Sequence, residues 1–94
     1  MKEIGRGVLL INKTMTLANT EYSQALPEGT AKLMVQNRGQ YDTKLSFNDG
    51  QSGTNYITIK AGMVYYEDLV NTSRTLYFQC ATAAQVLEIL IWVK

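Results

Sequence analysis

The stretch that decides the fold is the last twenty residues, Thr75 to Lys94, which read TLYFQCATAAQVLEILIWVK. Polar and apolar side chains alternate from Thr75 to Ala81, and after a short break an apolar run follows from Ala84 to Val93. Alternation with a period of two is typical of a β-strand with one buried face. The pattern therefore predicts two consecutive strands that pair as a hairpin, and no part of the chain upstream is as apolar.

Shorter runs rich in β-branched and aromatic residues recur upstream at a spacing of roughly ten residues. Their core-facing side chains are expected to include Leu17 and Tyr41, and Pro27 with Gly29 predicts a type II turn. No window shows helical periodicity, so the sequence predicts an all-β fold, a small antiparallel, jelly-roll-like β-sandwich of about eight strands. The upstream strands are expected over residues 8–17, 21–26, 31–37, 41–47, 56–59 and 63–67.

The length of 94 residues suits one domain and is too short for two separate cores. We expect a flexible lead-in over residues 1–7 and a single β-sandwich domain over residues 8–94. The first residues lack the ~7–15-residue apolar core of a signal peptide, and no run approaches the ~18 apolar residues of a membrane span. A soluble protein without a membrane partner is therefore expected.

The composition points to a surface that is partly covered. Apolar residues make up 46% of the chain and charged residues only 18%, which is little charge for the surface of a monomer. The net charge is +1, with nine basic and eight acidic residues scattered singly. No basic face is built to follow a phosphate backbone, so nucleic acid is not expected as a partner.

The absence of histidine from the sequence excludes Ser-His-Asp and Cys-His catalysis and the usual zinc sites. An enzyme would have to use carboxylates, of which the candidates are Asp42, Asp49, Glu67 and Asp68. We interpret these carboxylates as solvated surface charges and not as catalytic groups. A calcium site that uses Asp49 in the polar loop 48–55 is a further alternative, and it is less favoured than solvated charges. The single cysteine, Cys80, is expected to pack as a small hydrophobe. We therefore predict no enzyme activity, catalytic residue, metal or cofactor.

The last apolar run has two apolar faces. Its inward phase is expected to consist of Leu87, Ile89, Ile91 and Val93, and the outer phase is then Val86, Leu90 and Trp92. Full exposure of such side chains would forfeit ~1.5–3 kcal/mol each relative to burial. Either the segment Val8–Leu17 folds across this face or another copy of the protein covers it. The two alternatives are combined if the subunits exchange their N-terminal arms, so that the segment of one copy covers the face of the other.

Tyr65 and Tyr66 are adjacent in a predicted strand, so their side chains must point to opposite faces. Three roles are open to the outward tyrosine: packing on the sheet, a place in a protein interface, or stacking on a sugar ring. The sequence therefore predicts an interface built from Val86, Leu90, Trp92, Tyr65 and Tyr66.

Four segments, taken in order, resemble the small β-sandwich proteins encoded among the structural genes of tailed bacteriophages and prophages. These segments are Leu26–Thr30 (LPEGT), Ala61–Asp68 (AGMVYYED), Thr75–Phe78 (TLYF) and Val86–Trp92 (VLEILIW). The resemblance covers about Thr20 to Lys94 and consists of turn and core residues. It implies a virion component present in many copies, such as a head decoration protein or a piece of the head-to-tail region.

The expected function is therefore that of a non-enzymatic phage virion protein, made in the cytoplasm of the bacterial host, that acts by self-association or by binding the capsid. Its expected partners are itself and other virion proteins. The alternative is a carbohydrate-binding β-sandwich module for host or glycan recognition, which would use an outward tyrosine, Tyr65 or Tyr66, beside Asp68.

Overall fold

The computed structural model describes residues 7–72 and 74–93, and for residues 69–72 it describes the backbone alone. The lead-in expected over residues 1–7 lies outside the described residues except for Gly7, which begins the first strand; Lys94 also lies outside them. The described chain forms eight strands: β1 (Gly7–Met15), β2 (Tyr22–Ala25), β3 (Thr30–Asn37), β4 (Thr43–Ser46), β5 (Ile57–Ile59), β6 (Val64–Thr72), β7 (Thr75–Cys80) and β8 (Gln85–Val93).

The strands form two antiparallel sheets of four strands each. Sheet 1 has the order β1-β8-β3-β6 and sheet 2 has the order β2-β7-β4-β5. The first strand pairs with the eighth, the second with the seventh, the third with the sixth and the fourth with the fifth, as in one long hairpin that has been rolled up. Pairing of β3 with β8 and of β4 with β7 closes the roll. This arrangement is a jelly roll, and the predicted all-β sandwich is confirmed.

The two C-terminal strands do not pair with each other, so the predicted hairpin is wrong. β7 lies in sheet 2 between β2 and β4, whereas β8 lies in sheet 1 between β1 and β3. Residues 81–84 carry the chain across, with Ala84 at a positive φ of 64° and its amide donating to the Met15 carbonyl at 2.8 Å. Alternation shows only that each strand has one buried face. Two strands that face each other across the core have this pattern, and so do two neighbouring strands of one sheet.

The core lies between the sheets and uses the inward phase of both. The inward residues predicted for β7 and β8 are confirmed, because each is at most 1% exposed: Leu76, Phe78, Cys80, Leu87, Ile89 and Ile91. Burial of large side chains such as these stabilises the fold by ~1.5–3 kcal/mol each. Met15, Leu33, Val35 and Leu45 extend the same cluster, and Val93 packs at its margin.

Two residues expected in the core are exposed instead. β1 ends at Met15, and Leu17 lies in the following turn with 61% of its surface exposed. There its amide donates to the Tyr22 hydroxyl at 2.8 Å. Tyr41 is also exposed, because it lies in the connection before β4 begins at Thr43. In both places the alternating pattern continues beyond the point where strand pairing stops.

Residues 63–67 were expected to form a strand that ends before residue 68, and this boundary is wrong. β6 continues to Thr72, which pairs with Thr30 of β3 across a β-bulge. A strand can continue through a mixed segment such as residues 68–72 (DLVNT), because the ladder hydrogen-bonds the backbone whatever the side chains are.

The turn between β2 and β3 agrees with the type II prediction. Gly29 has a φ of 84°, a conformation that glycine adopts without the penalty of a side chain. The Thr30 amide donates to the Pro27 carbonyl at 3.3 Å. Pro27 therefore occupies the first turn position, and Glu28 and Gly29 occupy the two central ones.

Candidate functional site: the outer face of sheet 1

The outer face of sheet 1 carries a line of apolar side chains across all four strands. Directly opposite residues in antiparallel strands have their side chains on the same face. The strand registers therefore align four outward residues, one from each strand, which we call the outer apolar row: Leu10, Leu90, Met34 and Tyr66. The next row along the strands consists of Val8, Trp92, Lys32 and Asp68.

The two ends of the outer apolar row are its most exposed members. Leu10 is 65% exposed and Tyr66 is 52% exposed, because they lie on the edge strands β1 and β6. Leu90 and Met34 are partly buried by their neighbours in the middle of the sheet. Val8 and Trp92 extend the apolar surface toward one end of the strands. Contiguous apolar surface of this kind marks interaction sites on soluble proteins.

Charged residues lie on either side of the outer apolar row. On one side, Glu88 is held by Arg38, whose Nη1 lies 2.8 Å from a Glu88 carboxylate oxygen. On the other side, Lys32 and Asp68 stand directly opposite each other on β3 and β6. An apolar centre with a polar rim is the usual anatomy of a protein interface.

The face is large enough to carry an interface. Four strands and four side-chain rows give about 19 Å by about 27 Å, or roughly 500 Å² before the relief of the side chains is counted. A standard interface takes about 800 Å² of accessible surface from each partner. The flat area of the outer face is therefore more than half of a standard contribution, and the relief of its side chains adds to it.

The segment Val8–Leu17 does not cover this face. β1 lies beside β8 and pairs with it from Gly7, opposite Val93, to Met15, opposite Gln85. The expectation that Val8–Leu17 folds across the outer face is therefore wrong. A strand lying across the side chains would leave its backbone donors and acceptors unpaired, whereas the ladder satisfies them. β1 enlarges the apolar face instead of covering it.

Four of the five predicted interface residues lie on this outer face: Val86, Leu90, Trp92 and Tyr66. Tyr65 points into the sandwich instead, where its ring centroid lies 6.2 Å from that of Phe47 and its hydroxyl donates to Glu67 Oε1 at 2.5 Å. Desolvation, together with the Glu67 carboxylate, raises the pKa of Tyr65 to about 12. The interface role stays a prediction, and the geometry restricts it to the four outward residues.

Sequence reasoning missed three members of the face. Met34 was signalled by the alternation in β3, whose outward phase holds Lys32, Met34 and Gln36. Val8 and Leu10 lie in a run without alternation, so only pairing with β8 assigns them to the outer face. The continuous row depends on which strands are neighbours, and strand order cannot be read from periodicity.

The outer face of sheet 2 is partly covered by the chain itself. Residues 48–55 connect β4 to β5 and lie over Gln79 of β7, whose Nε2 donates to Ser52 Oγ at 2.8 Å. Glu21 anchors this loop by accepting hydrogen bonds from the Ser52 hydroxyl at 2.5 Å and from the Gly50 and Ser52 amides at 2.9 and 3.0 Å. The Ser52 hydroxyl is the largest cause that lowers the pKa of Glu21, although desolvation opposes it.

The carboxylates considered for catalysis do not converge. Glu67 points inward and pairs with Arg74 at 3.1 Å, whereas Asp68 points outward. Asp42 and Asp49 lie exposed in connections. Among the residues that the structure describes, no group of three or more His, Cys, Asp or Glu side chains is placed to hold a metal. Cys80 is buried as expected.

A cleft of about 250 Å³ opens between β5 and β6, at the sandwich edge opposite β1. Its lining residues are Thr58, Ile59, Lys60, Met63, Val64 and Tyr65. Met63 and Val64 are exposed, so the cleft extends the apolar surface around the edge that also carries Tyr66.

Comparisons with known proteins support the fold. No protein-family model and no curated protein sequence matches the chain. A solution NMR structure of a de novo designed double-stranded β-helix matches with a TM-score of 0.55 and 13% identity, over 92% of this chain and 97% of the designed one. The crystal structure of PirA gives a TM-score of 0.44 and 8% identity, over 98% of this chain and 96% of that one. None of the described residues forms a helix that could cross a membrane.

Proposed function

We propose that this chain is a non-enzymatic structural protein of a bacteriophage virion, which binds copies of itself or the capsid through the outer face of sheet 1. The observation that carries the binding role is the outer apolar row, which no described part of the chain covers. The virion role is supported by the resemblance of the four sequence segments to phage structural proteins. A decoration or head-to-tail position suits a protein that works by repeated contacts.

The energetics favour a contact between two copies of this face. Full burial of a large apolar side chain contributes ~1.5–3 kcal/mol, and side chains such as Leu10 and Tyr66, which are about half exposed, can gain a corresponding fraction. Association costs roughly 4–15 kcal/mol in lost freedom of motion. In a two-fold symmetric contact each residue contributes twice, which allows a face of this size to offset the cost.

Sedimentation velocity at several micromolar concentrations tests the self-association. We expect the wild-type protein to form oligomers and Met34→Lys to associate less than the wild type, because the new charge lies in the middle of the outer apolar row. Ser23→Lys, on the exposed outer side of β2, is the matched control and should associate like the wild type. A strictly monomeric wild-type protein with a solvent-exposed Trp92 emission spectrum would overturn the proposal of self-association.

The virion role has a separate test. Purified particles of the phage or prophage that carries the gene should contain this chain in many copies, as measured by quantitative mass spectrometry. Detection in infected cells but not in intact particles would contradict the structural role while leaving self-association standing.

The second candidate function, carbohydrate binding, is favoured by one observation. Tyr66 is outward and exposed, and Asp68 lies two residues along the same strand on the same face. An aromatic ring can stack on a sugar while a carboxylate accepts its hydroxyl groups. A glycan array with wild-type protein and Tyr66→Ala tests this function; silence of both would exclude the glycans on the array.

A further inference from the structure

The free edge of β1 is the least protected sheet edge in the molecule. β1 ends the strand order of sheet 1, and no strand of the described chain pairs with its outer side. Three consecutive residues there are 46–65% exposed: Val8, Leu9 and Leu10. Val8 and Leu10 point to the outer face, whereas Leu9 lies in the inward phase opposite Ile91. The strand is therefore apolar on both faces and open along its backbone.

The other three sheet edges carry the usual protections against pairing. β2 has four residues and β5 has three, and short edge strands resist association. β6 is longer, but its pairing with β3 contains a bulge, and it carries the charges of Glu67 and Asp68. Bulges and charges both discourage pairing at an edge. β1 has nine residues and a single charged one, Lys13.

We infer that the free edge of β1 pairs with β1 of a second copy of this chain, antiparallel about a two-fold axis at Leu10. The inference rests on the self-association proposed above and names where the first contact forms. A two-fold axis perpendicular to the sheet keeps outward residues on the outward side. The opposite pairs are then Leu10 with Leu10, Leu9 with Ile11, Val8 with Asn12 and Gly7 with Lys13.

This register is self-complementary. Apolar residues meet apolar residues at its centre, and Lys13 stands opposite Gly7, so no like charges face each other. Pairing also places a neighbour beside Leu9, which a partner covering only the outer face cannot reach. The backbone groups along the open edge gain hydrogen bonds at the same time.

The pairing would join two copies of sheet 1 into one sheet of eight strands. The two outer apolar rows become continuous through Leu10 and reach from Tyr66 of one copy to Tyr66 of the other. The whole outer face doubles its area, to about 1,000 Å² by the same strand spacings. Edge pairing therefore prepares a larger face for binding a capsid surface or further copies.

Cysteine cross-linking tests the inference directly. Single cysteines are introduced as Leu10→Cys and Thr14→Cys, and the protein is oxidised with copper phenanthroline. Leu10→Cys should form a disulfide-linked dimer, because the two residues stand opposite each other within the reach of a disulfide. Thr14→Cys is the control on the same strand and face; the two copies of residue 14 would lie about 27 Å apart and should not cross-link. Wild-type protein is the second control, because any cross-link that it forms can come only from the buried Cys80.

The variant Leu10→Cys combined with Met34→Lys separates edge pairing from face-to-face contact. If the edge is the contact, the disulfide-linked dimer persists in the combined variant. Loss of the cross-link there, with oligomers retained in the wild type, would overturn edge pairing and leave the proposed function intact. Larger oligomers without a Leu10 cross-link would also overturn it. A wild-type protein without any association would remove both proposals.

Discussion

The outer faces of the two sheets differ in composition and in how far the chain covers them. On sheet 2, the loop 48–55 lies over Gln79, and Glu21 fastens it through three hydrogen bonds. On sheet 1, the outer apolar row crosses four strands and no described residue covers it. One face is polar and partly covered by the chain's own loop, whereas the other is apolar at its centre and not covered by any described residue. The difference indicates that the protein folds through the inner faces of its two sheets and that the fold itself does not use the outer apolar row.

The contrast also shows where hydrophobicity alone misleads. Leu90 and Ile89 are adjacent, similar in size and in the same strand, yet Ile89 is fully buried and Leu90 is not. What separates them is the second layer: sheet 2 packs on the side of Ile89, and no described residue packs on the side of Leu90. A buried side chain contributes to folding, and an outward one of the same kind is available for association.

The largest expected effect separates the two sides of β8. Ile89→Ala should lower the free energy of unfolding by about 2–5 kcal/mol, because it leaves a cavity in a closely packed core. Leu90→Ala is the matched variant and should cost about 1 kcal/mol or less in the monomer, since that side chain is already partly in water. Urea denaturation at concentrations below association measures both. Equal losses would show that the outer side of β8 is packed as tightly as the inner side.

The next effect concerns association alone. Trp92→Ala should weaken self-association by about 2 kcal/mol, or roughly thirtyfold in the dissociation constant, which is the loss expected when an aromatic side chain is removed from an interface. Its effect on monomer unfolding should be smaller. Tyr77→Ala, which removes an aromatic from the outer face of sheet 2, is the control and should leave the dissociation constant unchanged. If unfolding and association fall by the same amount in Trp92→Ala, Trp92 is a core residue.

Much of the fold follows from local pattern. Inward residues such as Phe78 and Ile91 follow from alternation, because a pleated strand with one buried face repeats every two residues. The positive φ at Gly29 follows from turn chemistry. Strand ends cannot be predicted from this pattern. β6 continues to Thr72 through a segment without alternation, and the alternation before Leu17 continues beyond the end of β1. Strand partners do not follow either, because alternation is the same whether the next strand is a neighbour or lies across the core.

The candidate site also contains residues that the sequence pattern predicts and residues that it does not. Val86, Leu90 and Trp92 could be assigned to the outer face from one strand, because both phases of β8 are apolar. The continuous row with Leu10 and Met34 could not, because it depends on the order β1-β8-β3-β6. The hydrogen bonds of Glu21 on sheet 2 could not be predicted from the sequence either. Its partners Gly50 and Ser52 are distant in sequence and belong to no recognisable motif.

A smaller effect tests the closed face of sheet 2. Glu21→Gln should lower the free energy of unfolding by about 1 kcal/mol at neutral pH, because charge-assisted hydrogen bonds to the loop are weakened. The pKa of Glu21 is lower in the folded protein than its ordinary value of 4.5. Its contribution is therefore fully present above about pH 4.5 and is lost as the pH falls through the folded-state pKa.

Thermal unfolding from pH 7 to pH 3 measures this contribution. The difference between wild type and Glu21→Gln should shrink toward the acid end, and hydrogen exchange of the Gly50 and Ser52 amides should be faster in the variant at pH 7. Glu28→Gln, in the exposed turn before β3, is the control. A difference that stays constant down to pH 3 would show that the carboxylate charge does not hold the loop.

The smallest effect concerns the inward tyrosine beside the outward one. Tyr65→Phe should cost about 0.5–1.5 kcal/mol at neutral pH, because the hydroxyl that donates to Glu67 is lost. The pKa of Tyr65 is raised from 10.0 to about 12 in the folded protein, so its contribution is fully present below pH 10 and is lost as the pH rises through about 12. Alkaline absorbance titration should show a tyrosine that ionises near pH 12 in the wild type, and this step should be lost in Tyr65→Phe. Glu67→Gln should move that titration to lower pH, since the neighbouring negative charge is removed while the ring stays desolvated. If the late titration survives in Tyr65→Phe, another tyrosine is the desolvated one, and the inward position of Tyr65 on β6 is wrong.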